Sequence, residues 1–140
     1  MFSKTAQYAF KILIFMQQDG KDLFSASYIH EATNIPYKYL TMLMTKLSKN
    51  GLLNASRGRY GGFSLARESE LISLTDILDA IGENRLEQCM IDDCFTCEER
   101  GDCAIHQHWQ APKNKMIEML NNTKISVFND VEQINALEMA

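Results

Sequence analysis

The chain has 140 residues, of which 46% are hydrophobic, and a net charge of −4. This length and composition predict a soluble, globular protein, either one compact unit with a buried core or a small domain with an appended arm. The apolar run at residues 12–16 is too short to span a bilayer and lacks a small-residue cleavage site. These features argue against a membrane-spanning segment and a membrane partner, and they predict a cytoplasmic location.

Charge is divided unevenly along the chain. Residues 1–67 carry nine Lys or Arg against three Asp or Glu, a net of +6, whereas residues 68–140 carry five against fifteen, a net of −10. A basic half is typical of a protein that binds a polyanion, although a run of charge is more commonly a solvated surface. Polyanion binding is favoured over a solvated surface here, because the basic residues fall on the one motif described below.

The first predicted element is a helix over residues 2–18 that is apolar on two sides. Its two stripes are Ala6, Ala9, Phe10, Leu13 and Met16, and then Tyr8, Ile12 and Phe15. Both sides must be covered, and in a chain of this size we expect one to pack on its own domain and the other on a partner subunit.

A helix-turn-helix is predicted next. Ser25 or Ser27 can cap a short helix that stops at Thr33 and Asn34, and Pro36 suits the first turn of a second helix. The buried stripe of this second helix, at i, i+3, i+4 and i+7, is Leu40, Leu43, Met44 and Leu47. Its opposite face is basic and rich in hydroxyls: Tyr37, Lys38, Thr41, Thr45, Lys46 and Lys49. Such a helix can enter a major groove of DNA.

A β-hairpin is predicted to follow, with strands at residues 52–56 and 62–66 and the tip Arg57-Gly-Arg-Tyr-Gly61 between them. Glycines let the tip approach the sugar-phosphate backbone, and arginines can neutralise phosphates or enter a narrow minor groove. The alternative is an ordinary solvated hairpin. After a helix-turn-helix with a basic face, a DNA-binding wing is favoured. The predicted DNA-binding residues are Tyr37, Lys38, Tyr39, Thr41, Lys46, Arg57, Arg59 and Tyr60.

All four cysteines lie within residues 89–103, spaced C-x4-C-x2-C-x5-C. Thiolates are soft donors that select zinc, copper(I) or iron-sulfur clusters. Structural zinc usually has two cysteine pairs a dozen or more residues apart, whereas C-x4-C-x2-C occurs in plant-type ferredoxin loops. The spacing therefore favours an iron-sulfur cluster, with zinc as the lesser alternative. The candidate ligands are Cys89, Cys94, Cys97 and Cys103, with His106 as a substitute.

Other interpretations of this stretch are weaker. Acidic residues between the cysteines indicate a solvated loop rather than four buried thiols. Two disulfides would need an oxidising compartment. A thioredoxin-like pair, Cys94 and Cys97, would be expected after a buried strand in a βαβ unit, and the chain shows no convergent base or oxyanion donor for an enzyme. We therefore predict that the protein is not an enzyme.

Two further helices are predicted in the acidic half. Ser73 or Thr75 can cap the first, which carries Ile77, Leu78 and Ile81. The second spans residues 109–120 with Pro112 in its first turn. An apolar series then runs through a polar tail, and we expect part of it to pack on a partner subunit: Ile125, Val127, Phe128, Val131, Ile134 and Leu137.

The sequence resembles the winged-helix transcription regulators that include IscR, NsrR, RirA and CymR, and within them the iron-sulfur members IscR, NsrR and RirA. The similar segments are residues 5–10, 35–40, 47–52, 57–63 and 72–77 and the cysteine stretch. The resemblance implies a homodimer that binds a palindromic promoter site and, in the sensing branch of the family, carries a [2Fe-2S] or [4Fe-4S] cluster. Cys89-x7-Cys97-x5-Cys103 is similar to the RirA-like branch. Cys103-x2-His106 is similar to the IscR-like branch, in which this histidine is the fourth ligand, and Cys94 departs from that pattern.

Together these observations predict a mainly α fold with a small β-hairpin wing. We expect a winged helix-turn-helix over residues 1–82, a cysteine-rich cluster-binding loop over 83–106, and a dimerisation helix and tail over 107–140. The predicted function is a dimeric DNA-binding repressor whose DNA affinity is controlled by a cluster that senses iron, redox state or nitric oxide. The alternatives are a winged-helix regulator with structural zinc and a thiol-based redox sensor without a cluster.

Overall fold

Five α-helices and one β-hairpin form the parts of the chain that the computed structural model describes, residues 2–88 and 103–128. The helices are α1 (Lys4–Asp19), α2 (Ala26–Thr33), α3 (Tyr37–Lys49), α4 (Leu74–Ala80) and α5 (His106–Asn122), and the strands are β1 (Leu53–Ser56) and β2 (Gly62–Leu65). Short 3₁₀ turns span Ser69–Leu71 and Ile125–Phe128. The predicted mainly helical fold with a hairpin wing is confirmed.

Short polar side chains set where the helices begin. The Ser3 side chain accepts a hydrogen bond from the backbone of Ala6 at α1, and Ser25 does the same for α2. At α4, Ser73 and Asp76 form a reciprocal capping box. Each cap satisfies an amide that the first helical turn leaves unpaired. Between the predicted alternatives, the structure selects Ser25 over Ser27 and Ser73 over Thr75.

The core lies where α1, α3 and α4 meet. The predicted stripe of α3 is fully buried there. It packs with Ala6, Ala9, Ile12, Leu13, Met16, Phe24, Ile29, Ile35, Leu52, Leu53, Ile72, Ile77, Leu78, Ala80, Ile81, Leu120 and Ile125. Because Leu120 and Ile125 belong to this cluster, the end of α5 is built into the same core as the helix-turn-helix.

The second apolar stripe of α1 is partly covered by the chain itself. Tyr8 packs edge-on against Tyr39, with ring centroids 5.4 Å apart. Phe15 packs against Phe24 at 6.1 Å and Tyr28 at 5.8 Å. Aromatic side chains from α2, α3 and the α1–α2 connection therefore shield this stripe in part, but Tyr8 and Phe15 stay half-buried. Packing of this side of α1 on a partner subunit stays a prediction.

A residue outside the hairpin, Phe24, also pairs with it, and the sequence pattern did not reveal this contact. β1 pairs antiparallel with β2, with Leu53 opposite Leu65 and Ser56 opposite Gly62. Phe24 then bridges Phe63 through two backbone hydrogen bonds of 2.8 and 2.7 Å. These bonds fix the base of the wing to the connection between α1 and α2.

α5 begins earlier than predicted. Its first residue is His106 rather than Trp109, so Pro112 lies inside the helix and not in its first turn. The early start follows from backbone bonding, because the amides of His106 and Trp109 donate to the carbonyls of Cys103 and Ile105. Pro112 has no amide hydrogen, so one helical bond to His108 is missing.

The chain after α5 returns to α4. The amide of Leu74 donates to the Thr123 carbonyl at 3.0 Å, and the amide of Ile125 donates to the Ile72 carbonyl at 2.9 Å. Val131, Ile134 and Leu137 of the predicted apolar series lie outside the described residues. Across residues 2–88 and 103–128, every helix is too short or too polar to cross a membrane.

Candidate nucleic-acid interface and metal centre

The exposed face of α3 is an open, basic groove. It is lined by Lys38, Thr41, Met42, Thr45, Lys46, Lys49 and Asn50. Residues three and four positions apart lie on the same face of a helix, which places Lys38, Met42, Lys46 and Lys49 in one row. Within the described residues, none of the three lysines forms an ion pair. Their charges are therefore available to an anion.

Four short polar side chains on α3 and just after its end donate hydrogen bonds back to the helix backbone. Thr41 Oγ1 donates to the Lys38 carbonyl at 3.0 Å, and Thr45 Oγ1 donates to the Thr41 carbonyl at 2.8 Å. Ser48 and Asn50 make the same kind of bond to Met44 and Lys46. Because these donor hydrogens are used, the threonines offer the groove only oxygen lone pairs and methyl groups.

The tip of the wing is shaped by two glycines. Gly58 has φ 101°, a conformation that L side chains rarely adopt, and its carbonyl accepts from the Gly61 amide at 3.0 Å. At Gly61 a Cβ atom would lie 2.2 Å from the Ser56 carbonyl oxygen. Only glycine fits such a close backbone approach. Arg57 and Arg59 are exposed on this tip, and the Arg59 guanidinium lies 5.9 Å from the ring centroid of Tyr60, which is 86% exposed.

The turn between α2 and α3 is fixed by a histidine that sequence reasoning missed. His30 Nδ1 lies 2.6 Å from the Ile35 carbonyl oxygen, and since a carbonyl only accepts, Nδ1 is the donor. The ring also packs edge-on against Tyr37 at 5.7 Å. Asn34 completes the turn with φ 58°. Tyr37, 48% exposed, is thereby held at the start of the α3 groove.

The predicted DNA-binding residues fall into three positions in the structure. Lys38, Thr41 and Lys46 line the groove, with Tyr37 at its start. Arg57, Arg59 and Tyr60 lie together on the wing tip. Tyr39 is apart from both sets, because its ring packs on Tyr8 and its hydroxyl hydrogen-bonds with Thr5. Its position suits an anchor between α3 and α1. Met42, Thr45 and Lys49 also line the groove but were not in the predicted set.

Two of the five candidate metal ligands lie in the described residues. Cys103 is half-buried in the turn that leads into α5, and its carbonyl accepts from the His106 amide at 3.0 Å. The thiol and the imidazole thus belong to the same turn. Such a donor pair suits an iron-sulfur cluster and suits zinc equally well. Cys89, Cys94 and Cys97 lie outside the described residues, and in the described part of the chain no three His, Cys, Asp or Glu are grouped as a metal site.

A buried lysine ties α5 to the stretch that leads to Cys89. Lys113 is 3% exposed, and its Nζ lies 3.6 Å from Glu87 Oε2. We expect Glu87→Gln to lower the free energy of unfolding of the metal-free protein by about 1–3 kcal/mol, because it leaves a buried ammonium without its carboxylate. The side chain of Glu87 is 66% exposed, so water screens the pair and the effect should lie near the lower end of this range.

Urea denaturation checks this expectation. The matched control is Glu70→Gln, which removes the same charge from an exposed glutamate in the Ser69–Leu71 turn. It should change stability by less than about 0.5 kcal/mol. Equal unfolding midpoints for the two variants would show that Glu87 does not hold Lys113 in solution.

Comparison with known proteins places the chain among transcription regulators. The family model described as "Rrf2: Iron-dependent Transcriptional regulator" matches residues 2–130. A protein of Aquifex aeolicus (strain VF5), provisionally named an HTH-type transcriptional regulator, is 29% identical over 136 residues, which are 95% of this chain and 94% of that protein. The HTH-type transcriptional regulator IscR of Cereibacter sphaeroides is 36% identical over 78 residues, or 56% of this chain and 50% of that protein.

Solved structures support the same fold. CymR of B. subtilis, described as its global cysteine regulator, superposes with a TM-score of 0.74 at 22% identity, covering 92% of this chain and 95% of that one. IscR of T. potens superposes with a TM-score of 0.70 at 22% identity, covering 100% and 92%. At these identities the structures establish the fold alone, while the family match extends over nearly the whole sequence. The chain is therefore a member of the Rrf2 family, a winged-helix transcriptional regulator and not an enzyme.

Proposed function

We propose that this protein represses transcription as a cytoplasmic homodimer that binds a palindromic promoter site, and that an iron-sulfur cluster in the cysteine stretch sets its DNA affinity. The observation that carries the proposal is the pairing of the α3 groove with the wing tip. Both are basic, both are exposed, and neither is neutralised by a carboxylate of the described residues. An exposed basic helix next to a basic hairpin suits a duplex, which offers a phosphate backbone and two grooves.

Each basic element has its own role in the proposed complex. α3 enters the major groove, where Lys38, Lys46 and Lys49 contact phosphates or guanine edges. The wing lies against the neighbouring backbone, where Arg57 and Arg59 neutralise phosphates or enter a narrow minor groove. His30 and Tyr39 act at a distance from DNA, because they hold the start of α3 against α2 and α1.

The uncovered surface of α5 supports the proposed dimer. Within the described chain, this helix buries Lys113 and Leu120 and leaves apolar side chains such as Met119 and the adjoining Ile105 exposed. A second copy can cover these side chains through a two-fold axis. Such a dimer presents two α3 helices, which matches a palindrome whose half-sites are about one helical turn, roughly 34–36 Å, apart.

The proposed cluster is held by Cys89, Cys97 and Cys103, with Cys94 or His106 as the fourth ligand. When bound, it supplies a redox-active iron centre that iron limitation, oxidants or nitric oxide can alter. The acidic residues between the cysteines surround the ligands with negative charge, which favours the oxidised form of such a centre.

A chain of side-chain contacts supports coupling between the cysteine stretch and the DNA-binding helix. Glu83 lies in the segment that leads to Cys89 and accepts a hydrogen bond from the Ser3 hydroxyl at the start of α1. Two residues further on, Thr5 hydrogen-bonds with Tyr39 of α3. The first turn of α1 therefore contacts both elements. A displacement of Glu83 can reach α3 through these few side chains.

The test is a DNA-binding measurement on Arg59→Ala, with the duplex selected from a random pool by the wild-type protein. We expect affinity to fall by about 1–3 kcal/mol, because the variant loses a charged contact at the wing tip. The slope of log K against log salt should become shallower by about one if the lost contact is to a phosphate. Fluorescence anisotropy at several salt concentrations measures both quantities.

Arg67→Ala is the matched control. Arg67 lies just beyond β2, and its guanidinium is paired with Asp76 at 3.6 Å, so its removal should leave DNA affinity within a factor of about two. If Arg59→Ala and Arg57→Ala both bind like wild type and binding does not depend on salt, the proposed interface is wrong.

A further inference from the structure

Met42 is an exposed apolar side chain on a face of α3 that is otherwise basic and polar. It is 52% exposed and lies between Lys38 and Lys46 in the α3 row. The core face of α3 is already filled by its buried leucines and Met44. Met42 is therefore not part of the buried core, and its side chain is free to contact a partner of the α3 face.

The neighbours of Met42 extend its apolar character. The hydroxyl groups of Thr41 and Thr45 donate hydrogen bonds to backbone carbonyls of α3. Their outward surface consists of methyl groups and oxygen lone pairs. The centre of the groove is thus an apolar strip with almost no hydrogen-bond donors. The lysine ammonium groups, which are donors, lie at the borders of this strip.

Among the four bases, this strip matches thymine. In the major groove, adenine, guanine and cytosine present only hydrogen-bonding groups, whereas thymine adds a C5-methyl group. A donor-poor apolar surface gains from burying that methyl group, and no other base offers this gain in the major groove. A second copy of the protein is a poorer occupant, because it would bring its own lysines against Lys38 and Lys46.

We propose that Met42 contacts a thymine methyl group in each half-site and so determines which base is accepted there. This inference rests on the proposed DNA-binding function and adds a specificity residue to it. The bordering lysines supply affinity by contacting phosphates or purine edges, and Met42 supplies discrimination at one base pair.

The experiment replaces each thymine of the selected duplex, one at a time, by deoxyuridine, which lacks only the methyl group. For the wild-type dimer we expect one thymine per half-site at which the replacement weakens binding about fourfold, the effect of one buried methyl-sized group. For Met42→Ala the same replacement should change affinity less than twofold. Met42→Gln should accept adenine at that position, since an amide can pair with the adenine edge.

Two further measurements separate the possible outcomes. Leu71→Ala, which removes a similarly exposed apolar side chain from the Ser69–Leu71 turn, should leave the uridine effect intact, and thermal unfolding should show that Met42→Ala folds normally. A selected site with no methyl-sensitive thymine, or a uridine effect that persists in Met42→Ala, overturns the inference alone. Failure to enrich any sequence from the pool overturns the proposed function and this contact with it.

Discussion

Replacing Cys103 by serine is expected to abolish the visible absorption of protein purified without oxygen. Cys103 lies three residues before the first residue of α5 and shares a turn with His106, so its position is fixed by the folded chain. A serine hydroxyl is a much poorer ligand for iron than a thiolate. The same loss is expected for Cys89→Ser and Cys97→Ser, and absorption spectroscopy with iron and sulfide analysis measures it.

The fourth ligand is distinguished by two more variants. If four thiolates hold the cluster, Cys94→Ser should abolish or strongly weaken the chromophore and His106→Ala should keep it. The reverse pattern would assign the fourth position to the histidine. A colourless wild-type protein with stoichiometric zinc would replace the proposed cluster by a structural zinc site, and retention of the chromophore in every single variant would show that the ligands lie elsewhere.

The Gly61→Ala variant is expected to lose the DNA contacts of the whole wing. A Cβ atom at this position meets the Ser56 carbonyl oxygen at 2.2 Å, a contact that no rotamer can relieve, so the hairpin tip must adopt another path. If Arg57 and Arg59 both leave the duplex, the affinity should fall by about 2–6 kcal/mol, since each arginine contributes about 1–3 kcal/mol. The same anisotropy titration measures it.

Gly58→Ala is the informative comparison. It makes the same chemical change three residues away, at φ 101° but with nothing within 4 Å of the added Cβ. Its cost is backbone strain of about 1–3 kcal/mol without a collision, and a tip that keeps its shape should keep most of its affinity. Wild-type affinity in Gly61→Ala would mean that the wing does not touch DNA.

The parts of the fold that were predicted correctly are those with local causes. The buried face of α3 follows from the spacing of Leu40, Leu43, Met44 and Leu47, and the starts of α2 and α4 follow from Ser25 and Ser73. A repeat of three and four residues, or a serine before a helix, acts within one or two turns. Such features can be recognised without knowing what the segment packs against.

The features that were missed depend on contacts distant in sequence. The bridge between Phe24 and Phe63 involves a single residue on one side, too short for any alternating pattern. Lys113 carries a charge that predicts exposure, yet packing and Glu87 bury it. Tyr39 follows Lys38 directly, but consecutive helical residues point about 100° apart, so one lies in the groove and the other on α1. The assignments of the metal ligands and DNA contacts remain predictions.

The attachment of α5 has a mechanical consequence. Its C-terminal end is tied to α4 through the bonds at Thr123 and Ile125, while its N-terminal end carries Cys103 and His106. At 1.5 Å per residue, the helix is a lever arm about 25 Å long whose pivot belongs to the DNA-binding unit. A rearrangement of about 2 Å at the cysteine end corresponds to a tilt of only about 5° at the pivot. Any surface that the arm presents to a second subunit turns through the same angle.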